Sequence, residues 1–502
     1  LGRRAMWADR GDPPPEESAF VPRLRIYPHA FRGENAYYSP DKKALLFGYF
    51  PSAVSAADGF KPGGMVFCCL SHDIIAHECC HALLDGIHGY YLEETNPDSL
   101  AFHEAFADLV ALFQRFTWPE LLRGQIARTR GDLHRQNLLG ALAQEFGRAT
   151  GRYGALRDAL GQVDPKTGEW QARRPDPRAL ENTTGCHERG AILVAAVFDA
   201  YLTIYTQRVA DLLDLAAQLR GGEFRGPLPA ELRDRLAGEA AKAARHVLTM
   251  IIRALDYCPP VDITFGDYLR ALITADADLV ADDDRGYRTA FIEAFERWGI
   301  YPRDVRSMSE GDLLWERLDD WQGSVYDALH GDAAPLADQA RALGEVWTSD
   351  GNRAAIHQAS HECKAVVQAA LGAADDSVRR ALHLRLKDEA DSDIEVVAVR
   401  PAQRIGPDGQ VLTDVIVELI QSRPGWQGDP RPGSPPDFVF RGGCTLIVDA
   451  LKGKVRYCIF KKVDSERRYG VQRALGAERE QVPALHSGLG LRGAEPFAMS
   501  HQ

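Results

Sequence analysis

The sequence predicts an α+β protein, and three stretches of the chain support this fold class. Within residues 23–50, apolar and polar side chains alternate on either side of a polar turn at Pro40-Asp41-Lys42, as is typical of short strands. Across residues 71–300, apolar residues recur at helical spacing, and Gly- or Pro-containing segments separate them. Alternation returns in residues 394–460, which predicts a second β region.

We expect five segments along the chain. Residues 1–118 should form an N-terminal lobe with the first β region and two helices, and residues 119–303 a helical lobe. Residues 304–392 have a charged, helical pattern, and residues 477–502 have the composition of a flexible tail. Residues 393–476 predict a separate, small α+β domain of about four strands, which includes antiparallel hairpins.

Composition narrows the classes of partner. The chain has 502 residues, 45% of them hydrophobic and 26% charged, which is ordinary for a soluble globular protein. A formal net charge of -12 argues against nucleic acid or an anionic membrane surface as the main partner. Because no stretch has the roughly 18 consecutive apolar residues that a membrane-spanning helix needs, we expect no membrane span.

The nine cysteines indicate a reducing compartment. Two pairs are adjacent in sequence, Cys68-Cys69 and Cys79-Cys80, and resemble small buried hydrophobic residues more than a disulfide framework. Together with the missing signal-peptide pattern, they favour a cytoplasmic location. A secreted protein is the alternative if residues are missing upstream of Leu1.

The motif His77-Glu78-Cys79-Cys80-His81 is a candidate metal site. Histidines four residues apart on a helix project from one face, so both imidazoles can reach one zinc ion while Glu78 points into the same space. Ser71 can cap this helix and Gly86 can end it, which places the motif in mid-helix. Most neighbouring residues are apolar, so we expect the helix to be buried, where His and Glu need partners.

A second helix offers the missing ligand. Asn96-Pro97 is a typical helix start, with Pro97 at the tolerated first position. Glu104 and Asp108 then lie four residues apart on one face of that helix. A carboxylate from this helix would complete three protein ligands and leave one position for water, as in catalytic zinc sites.

These motifs, taken in order, resemble the thermolysin-type zinc metalloendopeptidases of the gluzincin group. Four features carry the resemblance, which covers residues of about 23–301. They are Asn35-Ala36-Tyr37-Tyr38, the motif His77–His81, Glu104 with Asp108, and Gly185-Cys186-His187. The resemblance implies a thermolysin-like catalytic unit, with a small N-terminal β region, active-site helices and a mainly helical C-terminal lobe. Residues 304–502 lie outside it.

The resemblance also implies roles for the metal site. His77, His81 and Glu104 would bind one zinc ion, and Glu78 would be the general base. Asp85 and Asp108 would accept hydrogen bonds from the ligand imidazoles and so fix their orientation.

Other residues match the family's transition-state and substrate contacts. His187 and Tyr91, or Tyr90 in its place, would donate hydrogen bonds to the oxyanion. Asn182 stands where the family has an aspartate that orients the histidine. Asn35 and the backbone of Ala36 would hold the substrate main chain along a strand edge.

Two further patterns are weaker. Asp73 matches a calcium ligand of the family, but Arg115 falls where a calcium carboxylate is expected, so the sequence argues against calcium. His357 and His361 lie at helical spacing without the second half of a zinc motif, and we interpret them as surface histidines.

We therefore expect a zinc metallopeptidase that hydrolyses a peptide or protein substrate through a metal-activated water and a glutamate base. The alternative is a catalytically silent gluzincin-fold scaffold or binding protein, in which the C-terminal domain provides recognition. Related chemistry on a non-peptide amide is a third possibility. The intact Glu78 favours an enzyme, because a scaffold has no use for a buried base beside a metal.

Overall fold

The computed structural model has helices and strands in both halves of the chain, which confirms the α+β class. It describes residues 4–10, 19–51, 64–135, 161–163, 170–172, 174–219, 227–318, 341–346, 352–406, 409–428, 435–452, 454–481 and 497. The predicted helical lobe 119–303 and the predicted helical region 304–392 fall partly outside these residues.

The N-terminal β region is a four-stranded sheet. Its strands are β1 (Arg25–Arg32), β2 (Ala36–Ser39), β3 (Ala44–Pro51) and β4 (Met65–Phe67). Strand β3 is central: it pairs in parallel with β1 and antiparallel with β2 and β4. The backbone at Gly33 packs directly on Gly48 of β3. Only glycine fits there, because a Cβ at position 48 would lie 2.3 Å from the carbonyl oxygen of Gly33. The far side of β2 is left facing the helices.

Two helices follow, α1 (His72–Asp85) and α2 (Pro97–Phe116). The start of α2 is fixed by a capping box, in which the side chains of Asn96 and Ser99 each bond the other's backbone, and by Pro97 in the first turn. Both helices are largely buried, as their apolar sequences predict. The metal motif therefore lies in the interior.

The helical lobe packs around α2. The hairpin β5–β6 joins Gly161–Val163 to Trp170–Ala172. The helices are α3 (Pro119–Thr129), α4 (Cys186–Leu219), α5 (Ala230–Arg253), α6 (Phe265–Ala277), α7 (Tyr287–Arg297) and the short α8 (Glu310–Leu313). Helix α4 approaches α2 closely at Gly190, where a Cβ would lie 2.8 Å from the carbonyl oxygen of Ala101. One apolar helix in the described residues, Cys186–Gln218, is long enough to cross a membrane, and 78% of its most apolar window is buried in the protein.

The C-terminal part contains the four predicted strands. After α9 (Arg353–Ala373) and α10 (Asp376–Ala381), strands β7 (Glu395–Ile405), β8 (Val411–Gly425), β9 (Phe438–Asp449) and β10 (Val455–Lys461) form an antiparallel meander. Helix α11 (Glu466–Gln481) follows, so the boundary expected at 476–477 falls inside a helix. Of the predicted tail beyond α11, the structure describes Phe497 alone, and this residue is buried.

This sheet is not the separate domain that the sequence predicted. One of its faces contributes Ile416, Ile447 and Ile459 to the same hydrophobic core as α2 and α4. The other face, with Val415 and Val417, packs on α9. Because both faces are covered, the strand core of β8 is buried at every position from 414 to 421.

Buried charges join the sheet to the helical lobe. The Asp278 side chain, 2% exposed, accepts hydrogen bonds from Arg404 (2.8 Å), Arg456 (2.5 Å) and the Tyr257 hydroxyl (2.5 Å). Arg404 and Arg456 also contact Asp414 of β8, at 2.6 and 2.9 Å. We call these four charged residues the Asp278 network. It neutralises charges at a largely buried interface.

Candidate metal centre

Three ligand atoms converge between α1 and α2. Glu104 Oε2 lies 3.3 Å from His77 Nε2 and 3.6 Å from His81 Nε2, and the two imidazole nitrogens are 2.9 Å apart. Ligand atoms around a tetrahedral zinc lie about 3.3–3.6 Å apart when each is about 2.0–2.2 Å from the ion. All three side chains are buried, and this group could hold a metal ion.

Helix geometry places these atoms. Within α1, the four-residue spacing stacks the His77 and His81 rings on one face, with centroids 4.6 Å apart. Helix α2 packs alongside and presents Glu104 from its buried face. The three-ligand set predicted from sequence is therefore assembled by two neighbouring helices.

Asp108 is placed as predicted, beside the outer nitrogen of a ligand histidine. Its Oδ1 lies 2.9 Å from His77 Nδ1. A carboxylate in this position accepts a hydrogen bond from Nδ1–H and so leaves Nε2 to face an ion. The one-turn spacing between Glu104 and Asp108 on α2 is what brings both carboxylates to the same imidazole.

The prediction for Asp85 is contradicted. Its carboxylate accepts from the Tyr38 hydroxyl at 2.7 Å and lies 3.5 Å from Lys43 Nζ, so it joins α1 to the N-terminal sheet. His103 occupies the predicted position instead, with its Nδ1 2.8 Å from His81 Nδ1. The signal for His103 was its place in an apolar helix directly before Glu104, since a buried histidine needs a polar partner.

Burial and neighbouring charges set the protonation of these histidines. Burial, opposed by Glu104 and reinforced by His77, holds the pKa of His81 well below its usual range, so His81 is neutral and able to act as a ligand. Burial likewise lowers the pKa of His103 to about 3. Burial also lowers the pKa of His77, but Asp108, Glu104 and Glu78 together outweigh it and raise the pKa well above its usual value, so a metal would displace a proton there.

Glu78 is held by the edge of the N-terminal sheet. Its Oε2 accepts a hydrogen bond from the backbone N–H of Tyr38 at 2.8 Å, and the side chain is buried. Because backbone groups alternate in direction along a strand, the main chain of Ala36, two residues earlier, lies along the same edge of β2. Asn35 precedes this strand and accepts from the N–H of Gly48 through its carbonyl, at 2.8 Å. Ala36 thus belongs to the strand whose Tyr38 bonds the predicted base, and Asn35 lies just before that strand.

His187 reaches the same site from α4. Its Nδ1 lies 3.5 Å from Glu104 Oε2, and its side chain is 27% exposed. The start of α4 is anchored by Arg189, which donates to Asp98 at 2.5 Å and to the carbonyl oxygens of Leu180 and Thr183. The structure therefore brings His187 to the candidate metal ligands, on a side that water reaches.

Two predicted roles are contradicted by hydrogen bonding. Tyr91 is buried in a short 3-10 turn, where its hydroxyl donates to the carbonyl oxygen of Pro259 at 2.7 Å. Its alternative, Tyr90, lies with its ring 4.9 Å from the guanidinium of Arg441. Asn182 is exposed and donates to the carbonyl of Arg178 at 3.1 Å, so its amide group does not orient His187.

Two other contacts bound the centre. The carboxylate of Asp73 lies 2.6 Å from Arg115, so an ion pair occupies the position considered for calcium. Phe497 stacks on the ring of His81 with a centroid distance of 4.0 Å and also packs on Tyr38. The Phe497 ring thus covers one face of a candidate ligand histidine.

A comparison of the chain with protein-family models, curated proteins and solved structures found no match.

Proposed function

We propose that this chain is a zinc-dependent metalloendopeptidase with a thermolysin-like catalytic unit, which hydrolyses peptide bonds. The observation that carries the proposal is the convergence of His77, His81 and Glu104 beside Glu78. A metal group alone is compatible with a structural role, whereas a carboxylate held next to it is what general-base hydrolysis requires.

The donor set favours zinc. Two imidazole nitrogens and one carboxylate are the protein ligands of many catalytic zinc sites, which leave the fourth position open. A zinc ion held there would lower the pKa of a bound water to about 7 and polarise a carbonyl oxygen. The hydrogen bonds at the outer nitrogens, from His77 to Asp108 and from His81 to His103, support this ligand orientation.

Glu78 would act as the general base, taking a proton from the attacking water and passing it on. The Tyr38 N–H fixes one of its oxygens, which restricts the carboxylate to one orientation at a buried position. A preoriented base loses little conformational freedom when the reaction begins. Tyr38 belongs to the strand edge that would hold the substrate, so base and substrate share one support.

His187 would act as a hydrogen-bond donor to the substrate, on the side of the metal group that water reaches. It is half-buried at the start of α4, 3.5 Å from Glu104 and open to water. An imidazole there can donate a hydrogen bond to a carbonyl oxygen as negative charge develops on it. Of the oxyanion donors expected from sequence, His187 alone reaches the metal ligands in the described contacts.

The test is cleavage of an unfolded protein by wild type and by Glu78→Gln, with zinc measured in both. We expect Glu78→Gln to keep its zinc and to lose activity by about 10²–10⁴-fold, because the base is removed while the ligands remain. Glu188→Gln is the matched control, since Glu188 is an exposed residue beside His187. Equal cleavage by wild type and Glu78→Gln would exclude the proposed role of Glu78.

A catalytically silent binding protein is the second candidate. One observation favours it: the Tyr91 hydroxyl, expected as an oxyanion donor, is already bonded to Pro259. Zinc bound by wild type without any cleavage would support this second candidate and overturn the first.

A further inference from the structure

A second histidine pair lies on α9, remote in sequence from the first. His357 Nε2 is 2.7 Å from Asp9 Oδ1, and His361 Nε2 is 3.0 Å from Asp9 Oδ2. We call these three residues the Asp9 cluster. Their ligand atoms lie within 4.8 Å of one another, which is close enough for one ion to contact all three.

The Asp9 cluster has the form of an open metal site. The two imidazoles project from the same face of α9, with ring centroids 4.2 Å apart, and both Nε2 atoms point at a single carboxylate. His361 and Asp9 are each about 40% exposed, so water or an ion can reach the group. Phe20 packs on the His357 ring, with ring centroids 5.0 Å apart.

We propose that the Asp9 cluster binds a second divalent transition-metal ion, of the zinc type. Two imidazole nitrogens with one carboxylate suit Zn²⁺ and its neighbours, whereas Mg²⁺ and Ca²⁺ prefer oxygen ligands. The present ligand separations, 2.7 and 3.0 Å, are a few tenths of an ångström below the roughly 3.3 Å expected around tetrahedral zinc. Small side-chain rotations would therefore admit the ion.

Asp9 is delivered by an anchored piece of backbone. Residues 4–10 run past the end of α1, where a Cβ on Gly86 would lie 2.1 Å from the carbonyl oxygen of Met6. Arg353 of α9 holds the same segment, with its guanidinium 5.6 Å from the ring of Trp7, and donates to the carbonyl of Pro22 at 2.8 Å. These contacts do not involve Asp9, so the carboxylate is brought to the histidines independently of any ion.

The ion would crosslink the N-terminal segment to α9. Residues 4–6 line an apolar cavity of about 110 Å³ between α1, α2 and α9, to which Cys80, Phe106 and Ile356 also contribute. Fixing Asp9 to α9 holds this segment over the cavity and ties α9 to the helix that carries His77 and His81. The site is therefore structural, and its ligand is the metal ion itself.

Zinc stoichiometry tests the proposal in the full chain. Apoprotein is saturated with Zn²⁺, excess metal is removed, and bound zinc per chain is measured for wild type and His357→Gln/His361→Gln. The expected difference is one zinc ion per chain. This difference does not depend on whether the first site holds zinc or whether the chain cleaves peptides, so the two proposals fail separately. Equal zinc in both proteins would overturn the inference.

Two further variants serve as controls for the zinc measurement. His29→Gln/His134→Gln removes two exposed histidines elsewhere and should bind as much zinc as wild type. If it also loses one ion, the loss reflects surface histidines in general and the inference is overturned. Asp9→Asn keeps both imidazoles and should weaken the second zinc at least about tenfold, whereas unchanged affinity would exclude Asp9 as a ligand.

Discussion

The two histidine pairs of this protein share a spacing and differ in their surroundings. His77 and His81 are buried on α1, and their third partner, Glu104, comes from the next long helix. His357 and His361 lie at the surface on α9, and their third partner is 348 residues away from His357.

The difference lies in what holds the imidazoles. The pair on α1 is fixed from behind by Asp108 and His103 and faces a carboxylate that no ligand role requires, Glu78. On α9, the described contacts give the pair only Asp9 and a flanking aromatic ring. One arrangement is suited to chemistry on a bound molecule, and the other to joining two parts of the chain.

The largest expected effect separates the two pairs directly. His81→Gln should abolish zinc binding at the first site and all peptide cleavage, because a buried ligand is lost. His361→Gln should leave cleavage unchanged, although it removes the equivalent histidine of the second pair. Zinc content and cleavage of an unfolded protein measure both. Loss of cleavage in His361→Gln would show that the sites are not independent.

A buried histidine without a metal role provides the reference for stability. His88 Nδ1 lies 2.9 Å from Glu418, which also contacts Arg400 at 2.8 Å. Burial raises the pKa of Glu418, but the opposing effects of Arg400 and then His88 are larger together and bring the pKa down to about 2. A carboxylate with a depressed pKa contributes stability above its unfolded value of 4.5, and this contribution is lost as pH falls through about 2.

The expected loss between pH 4.5 and 2 is about 3 kcal/mol, from a pKa difference of roughly two and a half units. Glu418→Gln should flatten this part of the stability curve, measured by urea unfolding at several pH values. Glu395→Gln, at an exposed position on the neighbouring strand, should keep the wild-type slope. Identical slopes in Glu418→Gln and wild type would refute the assignment.

A smaller effect is expected at the partner of His77. Asp108→Asn keeps a hydrogen-bond acceptor for His77 Nδ1 but removes the negative charge that makes the imidazole a more basic metal ligand. Its zinc affinity should fall by about 10–100-fold, measured by competition with a chelating dye. Asp211→Asn, an exposed change on α4, is the control. Unchanged affinity in Asp108→Asn would mean that the contact is not used in binding.

The smallest effect concerns the second pair without metal. In chelator, Asp9→Asn should change the free energy of unfolding by at most about 1 kcal/mol, because partly exposed ion pairs contribute little. With zinc added, wild type should gain stability over Asp9→Asn, since a ligand that binds only the folded state stabilises it. Thermal unfolding with and without Zn²⁺ measures both. An equal zinc response would contradict the comparison.

Local patterns in the sequence located the first site because its residues are joined by helix geometry. His77, Glu78 and His81 lie within two turns, and Glu104 with Asp108 repeats the same spacing on α2. The misassigned residues depend on partners far away in sequence. Tyr91 bonds Pro259, 168 positions later, and Asp85 bonds Tyr38, 47 positions earlier. Nothing near these residues in the chain indicates those partners.

The fold shows the same difference between local patterns, which the sequence indicates, and contacts between distant residues, which it does not. The α+β class and the order of the β and helical regions were predicted, because periodicity is a local property. The shared core of the C-terminal sheet was missed, although β8 contains the uninterrupted apolar run Val415-Ile416-Val417 before Glu418. Such a run is typical of a strand covered on both faces. The contact between Asp9 and α9 was not predicted either, because single exposed contacts leave no periodic pattern in the sequence.

The Asp278 network sets a limit on how this protein can be dissected. A fragment ending near residue 303 would contain all of the candidate catalytic residues but neither Arg404 nor Arg456. It would expose to water the Asp278 carboxylate and the apolar surface that Ile416 and Ile459 cover. Exposing a large apolar side chain costs roughly 1.5–3 kcal/mol, a large share of the stability of an ordinary domain when several are exposed together. The minimal fragment able to fold therefore extends through β10, well beyond the part that resembles a peptidase.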